Sequence, residues 1–249
     1  MVNVIKNMKS EPKNLKEFRL RNDVKQALRN KTHGMFKKYV NECDECSDEL
    51  RNILKEKQGF ICCYCMCSIE IGKTKIEHYK SRKENPNLEV DYKNLYLACD
   101  GEKINCTENQ DDNRDIHEDC RCKHYKENEN KRIVKHCDTC KGKRKLEYID
   151  LKVIESQIKY QSDGTIYSDN EDINRELNYV LNLNIEILKK SRLRAKKSLW
   201  RSLPKDGTWK DKMINKQIEK YQNQKKKAPY LGVLLYFLAK ELTKKGKIT

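Results

Sequence analysis

Cys62 and Cys65 have two residues between them in Cys62-Cys63-Tyr64-Cys65, a spacing that lets two thiolates from one turn reach the same tetrahedral zinc ion. Closing such a site takes a second pair. Cys99 and Cys137 are the best candidates, with 37 residues between them. Between the pairs lies Glu77-His78. At the end of a strand, adjacent side chains leave on opposite sides of the pleat, which would turn Glu77 toward a cation and His78 toward a water that must lose a proton. Imidazole suits that transfer near neutrality. Asn94 follows in Asp91-Tyr92-Lys93-Asn94-Leu95, where its amide can hold the His78 ring through the backbone or directly. Asp138, in His136-Cys137-Asp138-Thr139-Cys140-Lys141-Gly142, is the second carboxylate, and Lys141 is a candidate for neutralising an anionic substrate. A deprotonated water, a Lewis acid and positive charge around the transition state are what phosphodiester hydrolysis requires. Two carboxylates suit one hard cation and the thiolates suit zinc, so two metals with separate roles are expected.

These side chains meet only if short elements carry them. Residues 1–60 begin extended and basic, then carry helical patterns over Asn14–Arg29 and Asp48–Lys57, where Leu50, Ile53 and Leu54 form one stripe. Short β-prone runs follow at Ile69–Glu77 and Leu95–Ala98, joined by the polar, Pro-containing loop Lys80–Asp91. Residues 100–135 are polar with few apolar anchors and read as a surface insertion. Ile158–Tyr160, Ser162-Asp163-Gly164 and Thr165–Ser168 predict a hairpin, with Gly164 free to take a positive φ. Helices are predicted over Asp172–Leu181, Ile185–Leu203 with Asn184 as N-cap, Trp209–Gln224 and Pro229–Thr243.

The formal net charge of +16 is unusual for an enzyme of small acidic or neutral metabolites and points to a polyanion. Residues 186–249 hold 19 Lys/Arg against 5 Asp/Glu, so 14 of the 16 surplus charges lie there. Lys189, Lys190, Arg192, Arg194, Lys196 and Lys197 form the densest run and the candidate phosphate-contacting surface. Trp200, Trp209, Tyr221 and Tyr230 can stack on unpaired bases, but at helical spacing packing within the C-terminal helices is the favoured reading. Twelve cysteines suggest disulfides only in a secreted domain, and the opening MVNVIKNMKSEPKNLKEF has no apolar signal core. Reduced, metal-binding thiols in a cytoplasmic protein are therefore expected. The apolar run Ala228–Ala239 is too short to span a bilayer.

Cys62-Cys63-Tyr64-Cys65, Ile76-Glu77-His78, Asn94-Leu95 with Cys99, and Cys137-Asp138 with Lys141-Gly142 resemble, in order and character, the signature of the HNH nucleases. Ile5–Leu15 with Glu11-Pro12, the Asp163-Gly164 hairpin, and Leu181-Asn182-Leu183-Asn184 with Arg192 look like the HNH nucleases of retron and Septu-type anti-phage systems. The resemblance covers most of the chain. It implies that His78 is the general base, that Glu77 and Asp138 bind Mg²⁺ or Mn²⁺, that Asn94 is the positioning residue, and that Cys62, Cys65, Cys99 and Cys137 bind structural zinc. It also implies, as partners, a co-encoded ATPase and a retron reverse transcriptase with its RNA–DNA product. The sequence departs from the commonest pattern in having Glu before the His, Asp at the last ligand position, and the insertion after Cys99.

The expected architecture is α+β: an HNH ββα-metal core with structural zinc, embedded in a mostly helical protein. Residues 1–60 form the helical lead-in, 61–145 the nuclease core with its polar insertion 100–135, and 146–249 the hairpin and basic helical region. The expected substrate is DNA, with RNA (a tRNA, for example) and non-catalytic nucleic-acid binding as alternatives. His136 competes with Asp138 as the last ligand. Cys106, Cys120, Cys122 and Cys140, with His117 and His124, are candidates for a second zinc site. Cys63 and Cys67 read as core or turn residues, Cys43 and Cys46 as a Cys-X-X-Cys without a partner pair, and His33 as an ordinary surface histidine.

Overall fold

The computed structural model describes residues 1, 11–43, 45–69, 74–106, 126–128, 131–204 and 209–245. The chain is a mostly helical α+β protein with three small antiparallel sheets among the described residues. Four helices come first: α1 (Lys13–Leu20), α2 (Asn22–Arg29), α3 (Met35–Asn41) and α4 (Cys46–Lys57). The single helix expected over Asn14–Arg29 is broken at Arg21, whose backbone is extended. Burial gives the reason. Leu15 and Phe18 face the core, but the next positions of that stripe, Asn22 and Lys25, are polar, whereas Val24 is buried. A break re-phases the apolar face. Cys43 and Cys46 are joined as a disulfide, against the expectation that every thiol is reduced.

Strands β1 (Thr74–His78) and β2 (Leu95–Cys99) pair in the register Thr74↔Cys99 and His78↔Leu95. Every residue of β2 is buried, which fits its continuous apolar run. Part of the 100–135 segment is a sheet rather than an unstructured surface excursion: β3 (Glu102–Cys106) and β4 (Lys126–Asn128) flank β5 (Lys131–Lys135). The chain leaves at Gly101 and returns at His136, whose N–H bonds to the Gly101 carbonyl at 2.8 Å. Gly101 has φ +69°, and a Cβ there would lie 2.2 Å from the His136 oxygen, so the close approach needs glycine. The short helix α5 (Cys137–Lys141) follows directly.

The predicted hairpin forms as β6 (Lys159–Tyr160) and β7 (Ile166–Tyr167), with Gly164 at φ +93°. Helix α6 (Glu171–Arg175), capped by Asn170, runs into a π turn at Glu176–Val180. Helices α7 (Glu186–Ser202), α8 (Asp211–Asn223) and α9 (Leu231–Lys245) complete the chain. Asn184 does not cap α7. Its amide instead bonds both backbone groups of Ile166 and so holds the hairpin. The main core joins Leu15, Leu54, Leu97, Ile149, Leu183 and Phe237, so the N-terminal helices, β1–β2, the hairpin and α9 share one interior. Leu199, Leu203, Ile214, Leu234 and Leu238 form a second cluster among α7, α8 and α9. Trp200 meets Trp209 and Phe237 edge-on at 5.4 and 5.9 Å, an arrangement of packing aromatics. Among the described residues no helix is long and apolar enough to cross a membrane.

Candidate metal centre and buried polar cluster

The sulfurs of Cys62, Cys65, Cys99 and Cys137 lie within 4.8 Å of one another, and all four residues are buried. Cys62 and Cys137 sulfurs are 3.9 Å apart, and those of Cys65 and Cys99 3.8 Å apart. A tetrahedral zinc with Zn–S near 2.3 Å requires sulfurs about 3.8 Å apart, so the cluster has the size of a metal site. Three elements build it. Cys62 and Cys65 sit on a turn closed by the bond from Met66 N–H to the Cys62 carbonyl at 3.1 Å, with Met66 at φ +62°. Cys99 ends β2, and its N–H points at the Cys62 sulfur at 3.4 Å. Cys137 opens α5, and its N–H is held by the Leu181 carbonyl at 2.8 Å. Asn182 adds a bond to the Lys135 carbonyl at 2.8 Å, so the Leu181-Asn182 pair clasps the segment that carries the fourth cysteine.

The thiols divide into unlike pairs. Burial pushes the Cys62 thiol up, but hydrogen bonds from Cys137, Cys63, Cys65 and Cys67 outweigh it and hold it well below the ordinary value. Cys137, by contrast, is pushed well above it by burial and by its bond to Cys62. In a buried cluster without a cation some sulfurs must stay protonated, and a divalent ion lets all four ionise.

The carboxylates meet one layer away. Glu77 and His78 end β1, and both are buried. Glu77 accepts from the Tyr64 hydroxyl at 2.7 Å, is in hydrogen-bond contact with Asp138, and pairs with the Lys141 ammonium at 2.6 Å. Burial, with Asp138 adding to it and Lys141 opposing, pushes the Glu77 carboxyl up to about 8. Lys141 is 2% exposed and also reaches the His78 carbonyl at 3.3 Å, so it is a buried counter-ion and not a surface lysine. His136 turns away from this group. Its Nδ1 lies 3.0 Å from the Cys137 sulfur, and its Nε2 is buried with no partner among the described residues. Asp138, not His136, is therefore the group that meets Glu77.

His78 Nε2 lies 2.9 Å from the Glu89 carbonyl, which can only accept, so Nε2 carries the proton and Nδ1 the lone pair. Burial lowers the imidazole to about 4, leaving it neutral at pH 7. Phe36 meets the ring edge-on at 4.7 Å, and Glu89 fixes Phe36 by accepting its N–H at 3.0 Å and that of Gly34 at 3.1 Å. Asn94 does not touch the ring. Its carboxamide accepts from Lys80 N–H at 2.7 Å and donates to the carbonyls of Lys80 and Leu88 at 3.0 and 3.2 Å, locking the segment that follows His78 to the one that carries Glu89. Of the two routes open to Asn94, the structure takes the backbone.

Sequence reasoning missed Tyr64, Glu89 and Gln58. Gln58 donates to the carbonyls of Ile61 and Leu97 and accepts from Leu97 N–H, all within 3.1 Å, which ties the Cys62 turn to β2. Only Tyr64, set between two ligands, carried a signal. Arg192 is a correction. It is 1% exposed, and its guanidinium goes to the carbonyls of Gly164 and Leu183 and to Asn184, so it is removed from the basic surface. Lys189 pairs with Asp163 and Glu186, Lys190 pairs with Glu186, and Lys196 lies over the Phe237 ring at 4.1 Å, while Arg194 and Lys197 are exposed. Of the second zinc candidates, Cys120, Cys122, His117 and His124 lie outside the described residues, as does the Cys106 side chain. Cys140 is buried with Arg144 against its sulfur at 3.4 Å. No family model matches the chain, and no curated protein matches it.

Proposed function

We propose that this chain is a metal-dependent endonuclease of the HNH type that hydrolyses phosphodiester bonds in DNA, with zinc in the four-cysteine cluster as its structural metal. One observation carries the reading. A Glu-His pair ends one strand, Asn94 leads into its antiparallel partner, a short helix brings Asp138 against Glu77, and the strand pair and the helix hang from the same four sulfurs. That arrangement supports the ββα-metal reading.

Glu77 and Asp138 fit a hard cation: a half-buried Asp138 beside the buried Glu77 raises the Glu77 carboxyl, and a divalent ion would relieve what Lys141 only partly offsets. Bound there, Mg²⁺ or Mn²⁺ would supply Lewis-acid polarisation of the scissile phosphate. His78 is the base. Its Nε2–H is committed to Glu89, so Nδ1 takes the proton from water, and an arriving phosphate anion favours the protonated ring. Asn94 and Glu89 keep that ring in place. By resemblance the enzyme is the effector of an anti-phage system, working with a co-encoded ATPase and a retron reverse transcriptase bearing its RNA–DNA product.

The test is cleavage of plasmid, single-stranded DNA and total tRNA by the purified chain, with Mg²⁺ or Mn²⁺ and with or without the ATPase. Cleavage of DNA, abolished in a folded His78→Ala variant, is expected. Unchanged cleavage in that variant would refute the base, cleavage of tRNA alone would move the substrate to RNA, and binding without cleavage would leave a nucleic-acid-binding subunit.

A further inference from the structure

Cys43 and Cys46 form the one disulfide among the described residues, and neither belongs to the metal centre. Two observations set it apart from a structural staple. Only two residues separate the bonded cysteines, so the bond closes a very short loop and takes little freedom from the unfolded chain. The two residues are also unequally placed: Cys46, the first residue of α4, is 3% exposed, whereas Cys43 is half-buried in the connection from α3. A nucleophile arriving from solvent meets Cys43 first. Helix α3 links this pair to the site. Its Tyr39 reaches the Cys46 carbonyl through the hydroxyl at 3.3 Å and packs on Phe36 with 6.2 Å between ring centres. Phe36 in turn meets the His78 ring.

We propose that the Cys43–Cys46 disulfide is a reversible redox site, opened by a dithiol reductant, whose state sets how firmly α3 holds Phe36 against His78. The redox pair stands apart from the nuclease reading, and only its consequence for His78 as a base rests on that reading. One thiolate of the reductant attacks the Cys43 sulfur, the bond between Cys43 and Cys46 breaks, and Cys46 leaves as a thiolate that takes up a proton. It forms at the start of a twelve-residue helix, where the dipole favours negative charge. The second thiolate of the reductant then attacks the reductant's own sulfur in the mixed disulfide and releases Cys43, which is protonated in turn. Two electrons pass from the dithiol, now a disulfide, to the pair. Cys62, Cys65, Cys99 and Cys137 are free thiols, so the reductant finds no bond to open there. With the tie between α3 and α4 cut, the seat of Tyr39 on the Cys46 carbonyl loses its covalent backing, and Phe36 loosens with it.

The full chain, equilibrated in dithiothreitol buffers of graded oxidised-to-reduced ratio, quenched with N-ethylmaleimide and peptide-mapped, tests the site directly. Cys43 and Cys46 should gain label together as the buffer becomes reducing and lose it when the ratio is reversed. A pair that stays unlabelled at the most reducing ratio and opens only in denaturant would overturn the proposal, and so would a pair labelled at every ratio. Hydrogen exchange tests the coupling. The amides of α3 should exchange several-fold faster in the reduced chain, and equally fast at every ratio in Cys43→Ser/Cys46→Ser. Identical exchange in the oxidised and reduced parent would overturn the hold on α3. Neither measurement reads cleavage, so a chain that never cuts would sink the nuclease reading alone. In a chain that does cut, nicking should slow on reduction of the parent and ignore the buffer ratio in the double variant; a parent rate equally indifferent to the ratio would overturn the link to His78.

Discussion

Replacing Arg192 by lysine keeps the charge and removes the planar fork, which separates an internal anchor from a phosphate contact. Arg192 is 1% exposed and serves three acceptors: the carbonyls of Gly164 and Leu183, the latter at 2.8 Å, and the Asn184 side chain at 3.2 Å. An ammonium on a flexible stem can engage one of them. A hydrogen bond from a charged donor contributes about 1.5–3 kcal/mol net, so removal of two such bonds amounts to about 3–6 kcal/mol. Against a total stability of about 5–15 kcal/mol the variant remains folded in buffer but is strongly weakened. With a urea dependence of about 2–3 kcal/mol per molar, the midpoint should fall by about 1–3 M. Urea unfolding followed by the fluorescence of Trp200 and Trp209 reads the shift directly. The salt dependence of polyanion binding should be unchanged, because the residue does not reach solvent. A midpoint within about 0.3 M of the parent, together with weaker and less salt-sensitive binding, would refute the anchor and return Arg192 to the surface.

Asn94→Ala should lower cleavage with little change in zinc content, since the bonds it removes hold Lys80 and Leu88 and not the sulfurs; loss of zinc in this variant would contradict that separation. Lys141→Met leaves Glu77 and Asp138 without their internal cation, so stability should fall by about 3–5 kcal/mol. Mg²⁺ at about 100 times its dissociation constant should restore about 2.7 kcal/mol; a variant indifferent to Mg²⁺ in urea titrations argues against a cation between the carboxylates. Because the Glu77 carboxyl is raised above its unfolded value, the metal-free protein gives up stability as pH climbs from about 4.5 toward 8, and Glu77→Gln should flatten that decline in pH-stepped denaturation. Lys212, Lys216 and Lys220 are exposed one turn apart on α8 and make no ion pair among the described residues, unlike Lys189 and Lys190. Reversing these three to Glu should reduce the salt slope of nucleic-acid binding by about 0.9 for each phosphate left without its lysine, and more than reversal of Lys189 and Lys190 does. Equal effects would leave α7 as the interface.

Chemistry was more legible than placement. Four thiols, two carboxylates and a histidine were visible because each belongs to a short list of groups that can do such work, and their order along the chain limits how they can meet. Their neighbours were not, because backbone carbonyls and buried amides carry no signature: nothing about Gln58 or Glu89 as residue types distinguishes a glutamine or glutamate that orders a site from a solvated one. The six-residue basic run was legible only in part, for the same reason in reverse. Charge density placed it on a surface, but the helical period carries Arg192 inward and brings Lys189, Lys190 and Lys196 to partners on the protein itself. The break at Arg21 could be read only with burial in hand, since both halves have good helical composition.

The hydrogen bond between Gly101 and His136 makes a single doorway of the two ends of everything between β2 and α5. A stretch that departs and returns at neighbouring atoms, with a metal ligand on either side of the gap, can change length or content without displacing what it interrupts. The two ends of that stretch, at Gly101 and His136, are thus fixed to each other independently of what lies between them. Exchanging what lies between the two ends would leave Cys99 and Cys137, and with them the four-cysteine cluster, where they are.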